Sequence, residues 1–214
     1  MNRTQWGRTP IAIGLLMATA GCARLTPGRT DALPFAPRVG GVCVVRGYLD
    51  WYSTGMDRLA GQLRAAGVPA AAYREEQWGA LANALLAHPE LPRPLVLVGF
   101  SYGADDVLLI ARRLAERGRP VDLLVTIDPV TPAAVPANVR RCVNFYQPNG
   151  VWDLLPFLRG VPLHADAGAA DPVNVNVRSR PELAEPGTSH ATIAGNEKVH
   201  RAIIDLVRET CRSP

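Results

Sequence analysis

From residue 41 onward, short apolar runs alternate with segments whose apolar residues recur every three to four positions, and this alternation constrains the fold more than any other feature of the chain. Runs of strand length fall at 41–46, 68–73, 94–98, 121–127, 141–146 and 173–177. Between and after them, helical spacing is read at 56–66, 78–87, the stretch following residue 101, and 193–207. The run 94–98, Pro-Leu-Val-Leu-Val, is apolar throughout, as in a strand covered on both faces. Such a pattern predicts an α/β protein, a three-layer αβα sandwich around a mostly parallel sheet. At 214 residues the chain holds one domain of ordinary size, expected over 40–214. Residues 149–170 break the alternation; irregular and Gly-rich, they are read as a loop or lid.

The most informative junction is Gly99-Phe-Ser-Tyr-Gly103, where the third run meets helical spacing at once. A sharp strand-to-helix turn tolerates no bulk two positions either side of its apex, which accounts for both glycines. At the apex Ser101 would stand exposed, the arrangement that a serine nucleophile needs. The turn also puts the Tyr102 N–H at a helix N-terminus, where free amide donors and the helix dipole favour a developing oxyanion.

A serine needs an imidazole to take its proton and an acid to fix the imidazole's tautomer. Of four histidines, His88 precedes the third strand, His164 lies in the irregular loop and His200 sits inside the final helix. His190 follows the last predicted strand and precedes the last helix, which is where the order Ser, Asp or Glu, His of the α/β-hydrolases, whose serine turn this corner resembles, implies the base. For the acid, Asp128 ends the strand after the serine unit, with its carboxylate expected on the same sheet edge. Asp153 is the alternative, and within Val-Trp-Asp-Leu-Leu it could equally cap a short helix. A second oxyanion donor is expected after the first strand, where Gly47 permits close approach and the N–H of Tyr48 or Leu49 would point inward. Tyr48, Trp51, Tyr52, Tyr102 and Trp152 are candidates for an apolar wall. Asp105 and Asp106 read as first-turn helix charges pointing to different sides.

The N-terminal 1–21 is expected to be an export signal: Arg3 and Arg8 precede an apolar stretch too short to span a bilayer. Small residues before Gly21-Cys22 resemble a bacterial lipobox, with Thr19 where Leu is usual. Lipidation of Cys22 and ordinary cleavage after Ala20 are both readings, implying an envelope lipoprotein at the periplasmic face, held to the membrane surface by its anchor, or a secreted or periplasmic protein. Residues 22–39 then read as a Pro-containing tether. Three further cysteines follow; Cys43 is expected as a buried thiol, and Cys142 with Cys211 as a disulfide, because both fall at one end of an α/β sheet. The net charge of +4 comes from scattered arginines, with no basic stripe or interleaved aromatics, so no nucleic-acid partner is expected. No Cys or His pair has ligand spacing, so no metal is expected either.

These residues make the chain resemble the α/β-hydrolases, specifically small bacterial exported esterase, lipase and thioesterase-type members, over about residues 40–210. The resemblance rests on Gly99–Gly103, the Asp128 strand end and the His190 loop. It implies a cofactor-free serine acyl-enzyme mechanism on a small acyl ester or thioester. An acyltransferase with the same triad, or a catalytically silent envelope lipoprotein that binds a lipid or protein partner, would use the same fold. There is no His-Gly motif before Gly47, and the short lid does not suit long triglycerides.

Overall fold

Alternate residues of a strand face opposite sides of a sheet, and here both sides are apolar. The computed structural model describes residues 41–48, 53–89, 91, 93–155 and 159–212, apart from the side chain of Trp152. The stretch 1–21 expected to be a signal, Cys22, the expected tether 22–39, Leu49, Trp51, Tyr52 and the Trp152 side chain lie outside what is described.

Six strands form one sheet: β1 Val42–Val45, β2 Ala70–Tyr73, β3 Val96–Phe100, β4 Leu123–Ile127, β5 Cys142–Tyr146 and β6 Val173–Asn176. Their order is β2-β1-β3-β4-β5-β6, and every neighbouring pair is parallel. Parallel neighbours need crossovers, and helices supply most of them: α1 Thr54–Ala65, α2 Trp78–Ala87 and α3 Tyr102–Ala115. A four-residue α4, His190–Ile193, and α5, Glu197–Arg212, close the chain.

On one face Val44, Val98, Val125, Val143 and Phe145 pack beneath α1 and α5, whose Met56, Leu59, Leu63, Val199, Ile203 and Val207 form their apolar stripes. The other face presents Cys43, Val45, Leu97, Leu124 and Cys142 to Leu81 and Leu85 of α2 and to Val107, Leu108 and Leu114 of α3. The sandwich predicted from the alternation is therefore present; five strands are shorter than their apolar runs, and β3 keeps the length of its run 94–98 but lies two residues further on.

Two expectations need correction. The closing helix read at 193–207 is two helices. The first ends at Ile193 with Ala194 as its C-cap, and Asn196 starts the second, its side-chain oxygen accepting the N–H groups of Lys198 at 2.9 Å and Val199 at 3.0 Å, as an N-cap does. The predicted Cys142–Cys211 disulfide is absent, and both are free thiols. Strand alternation is the reason: Cys142 faces α2 and α3, whereas α5, which carries Cys211, lies across the sheet. Cys43 is a buried free thiol, and burial pushes it and Cys142 up to about 12.

The segment read as a loop or lid is irregular over most of its described residues. It holds a short 3-10 turn at Gly150–Leu154, and its later part is a strap fastened to the sheet. The Asn174 side chain accepts the Leu163 N–H at 2.8 Å and donates to the Leu163 carbonyl at 2.9 Å, while Asn144 donates to Val161 O at 2.9 Å. Thr126 donates to Asn144 at 2.8 Å and Asn144 to Asn174 at 2.8 Å, so a polar ladder crosses β4, β5 and β6 beneath the strap.

Candidate active site

At the end of β3 the chain turns into α3 within one residue, and Ser101 takes φ +55° and ψ −125° to do so. Both flanking glycines are required by backbone contact. A Cβ on Gly99 would lie 2.1 Å from the Gly103 carbonyl oxygen, and one on Gly103 would lie 2.1 Å from that of Arg46. Ser101 is held by its N–H, which donates to Ile127 O at 2.9 Å, and by its carbonyl, which accepts from Ala104 at 2.9 Å.

His190 is delivered from the other end of the chain. Ser189 N–H donates to the Thr192 hydroxyl at 2.8 Å, and that hydroxyl contacts Gly187 O at 3.0 Å, so the start of α4 is tied to the loop before it. The ring lies against Phe100, centroids 5.4 Å apart, and its Nε2 is 2.9 Å from Ser101 Oγ. Its Nδ1 is 3.2 Å from Asp128 Oδ2. Asp128 follows β4 with a left-handed φ of +46°, is fully buried, and accepts the Gln147 N–H on Oδ1 at 2.8 Å. Burial raises its pKa against the opposing hydrogen bonds from His190 and Gln147, and the charge of Asp153 adds to the rise.

Asp153, the alternative acid, spends its carboxylate on the Asn149 N–H at 2.9 and 3.1 Å, capping the Gly150–Leu154 turn. His88 and His164 are exposed. His200 is buried between the Gln62 side-chain oxygen at 2.9 Å and Ala194 O at 2.8 Å, and burial lowers its pKa.

Around the serine, the Tyr102 N–H opens α3. Gly47 lies so close that a Cβ there would be 3.0 Å from Ser101 Cβ and 3.2 Å from Phe100 O, which brings the loop after β1 onto the corner. The Tyr48 ring is exposed and sits edge-on to Tyr102, centroids 6.2 Å apart. Arg46, fully buried, anchors this loop to Asp57 of α1 through Nε at 3.0 Å and through Nη2.

Two carboxylates in α3 have roles that their spacing did not disclose. Asp105 accepts the N–H groups of Val130 at 3.0 Å and Thr131 at 2.8 Å, and the Thr131 hydroxyl at 3.1 Å, stapling the serine helix to the turn just after Asp128. Asp106 is buried with Oδ2 unpartnered; burial, then the charges of Glu75 and Asp105, push it up to about 7. Polar residues inside apolar strands, as in Cys-Val-Asn-Phe-Tyr, were the available signal for the ladder that holds the strap. A separate cavity of about 410 Å³, lined by Arg93, Asp122, Arg140, Arg141 and Cys211, lies at the N-terminal ends of β3, β4 and β5, the opposite end of the strands from Ser101.

No family model matches the chain, and no curated protein matches its sequence. Among solved structures it is similar to an alpha/beta superfamily hydrolase-like protein from Xanthomonas campestris pv. campestris, at 17% identity and TM-score 0.48, covering 79% of this chain and 99% of that one. The NocB thioesterase domain of the nocardicin cluster gives 16%, 0.48, 80% and 93%, and an esterase domain from Rhodothermus marinus 16%, 0.46, 82% and 88%, in the same order. At such identities function has to be argued from the site. What the structure itself defines is a three-layer αβα fold: a parallel sheet between two helical layers, with a serine at the corner after its third strand and an Asp and a His following it in the chain.

Proposed function

We propose that the protein is a serine hydrolase that cleaves a carboxylic ester or thioester through an acyl-enzyme on Ser101. The observation that carries this reading is the unbroken line from Asp128 Oδ2 through the His190 ring to Ser101 Oγ, with separations of 3.2 and 2.9 Å. An Nδ1–H donated to Asp128 leaves the Nε2 lone pair facing the serine hydroxyl. Ser101 Oγ attacks the carbonyl carbon as its proton passes to Nε2, and the carbonyl π electrons move to oxygen. The Tyr102 N–H, with an N–H from the Gly47–Tyr48 loop, receives the oxyanion; one such donor is worth about 10²–10³ in rate. Collapse of the intermediate expels the alcohol or thiol, which takes the proton from Nε2. Water, deprotonated by His190, then attacks the acyl-enzyme and returns Ser101 to its alcohol form. The N-terminal signal and Cys22 extend the proposal to an exported protein, lipid-anchored when Cys22 is modified.

Labelling by a fluorophosphonate probe tests the reading. Wild-type protein is expected to label at neutral pH and Ser101→Ala not at all; an unlabelled, folded wild type overturns it. Product analysis with p-nitrophenyl esters in the presence of alcohols separates hydrolysis from acyl transfer to an alcohol.

A further inference from the structure

Gly160 is buried and its φ lies outside the left-handed region, so its backbone conformation does not itself demand glycine. Its surroundings do. A Cβ at this position would stand 2.0 Å from Asp128 Oδ1, 2.5 Å from Asp128 Cγ and 3.2 Å from Asp128 Cα. The strap therefore passes directly over the carboxylate with no room for a methyl group.

Neither side of this contact can easily give way. Immediately before Gly160, Arg159 Nε donates to Val130 O at 3.0 Å; immediately after it, Val161 N–H donates to Pro129 O at 3.2 Å and Val161 O accepts from Asn144 at 2.9 Å. Leu163 is clamped through both its backbone polar groups by Asn174. On the other side, the Gln147 N–H holds Asp128 Oδ1, and the Asp128 N–H donates to Phe145 O at 2.8 Å. The softest coordinate is the rotation of the carboxylate itself, and that rotation also sets its distance to His190.

We propose that Gly160 is a positioning residue: the strap, made flush at this glycine, holds the Asp128 carboxylate dry and in the one orientation that presents Oδ2 to His190 Nδ1. This rests on the hydrolase reading for its catalytic consequence, but the geometric claim about Asp128 and His190 stands apart from it. Any side chain at 160 turns the carboxylate away, and the imidazole loses the partner that fixes its tautomer.

A double-mutant cycle with Asp128→Ala tests this. Gly160→Ala alone is expected to lower kcat for a p-nitrophenyl ester by about 10²- to 10⁴-fold with KM nearly unchanged, the range spanned by misplacing and by losing the orienting acid. In the Asp128→Ala background, where Oδ1 and Cγ, the two atoms that the methyl would overlap, are gone and only the 3.2 Å approach to Cα remains, Gly160→Ala is expected to add less than about a threefold further loss. Ring ¹⁵N shifts of His190 give a readout independent of turnover: Nδ1–H tautomer in wild type, a mixture in Gly160→Ala. Equal losses in the two backgrounds, near wild-type activity of Gly160→Ala, or an unchanged tautomer overturns the proposal. If Gly160→Ala alone does not fold, folding of the double variant supports the contact and failure of both overturns it. Should the wild type prove inactive, the hydrolase reading falls while the tautomer comparison still decides this one.

Discussion

Ser101 occupies a backbone conformation that L-residues rarely adopt, φ +55° and ψ −125°, and a pair of inactive variants measures what that costs. Ser101→Ala and Ser101→Gly both remove the hydroxyl and its 2.9 Å contact with His190, so the hydrogen-bond loss cancels between them. At an unstrained site alanine is the more stable of the two by about 0.4–1 kcal/mol, because glycine gives the unfolded chain more freedom. Here alanine keeps the strained geometry and glycine does not, and such strain costs about 1–3 kcal/mol. The ordinary order is thus inverted, with Ser101→Gly more stable than Ser101→Ala by roughly 1 kcal/mol. For a domain of this size that is a melting temperature about 2–4 °C higher. Scanning calorimetry of the two proteins at one pH reads it directly. A Ser101→Ala protein that melts at or above Ser101→Gly would mean that the corner stores no strain.

Asp128→Ala is expected to lower kcat/KM by about 10³- to 10⁴-fold, and Asp153→Ala, which removes only a turn cap, by less than about threefold in parallel ester assays. Asp106 is an acid raised from 3.8 to about 7, so between those pH values the folded state holds a proton that the unfolded state releases, and stability falls as pH rises through the window. Asp106→Asn should therefore match wild type in urea titrations at pH 4 and exceed it at pH 8, by at most about 4 kcal/mol. Of Cys43, Cys142 and Cys211, only the exposed Cys211 should react with a thiol reagent in the native protein, the other two following on unfolding.

The parts of this architecture that could be read from the chain are those governed by local chemistry. Gly99 and Gly103 announce the corner because both approaches that exclude a Cβ arise within one strand-turn-helix unit and the strand beside it. The bridge between Cys142 and Cys211 failed because reading which end of the sheet a residue occupies leaves open which face it points to, and Cys142 is one residue out of phase with Val143, which packs toward α5. Asp105 looked like a helix-start charge because its partners, Val130 and Thr131, are more than twenty residues away. Gly160 gave no signal at all. With an ordinary φ it is indistinguishable from a loop glycine until the Asp128 carboxylate is seen beside it.

Asp105 has a wider consequence. Because it stitches the turn after Asp128 to the helix that begins beyond Ser101, the alcohol and the acid ride on one rigid body, whereas the imidazole arrives on a four-residue helix of its own. On the proposed chemistry, activity should therefore be lost on warming that loosens residues 187–196 before the sheet itself unfolds, and should return on cooling without refolding.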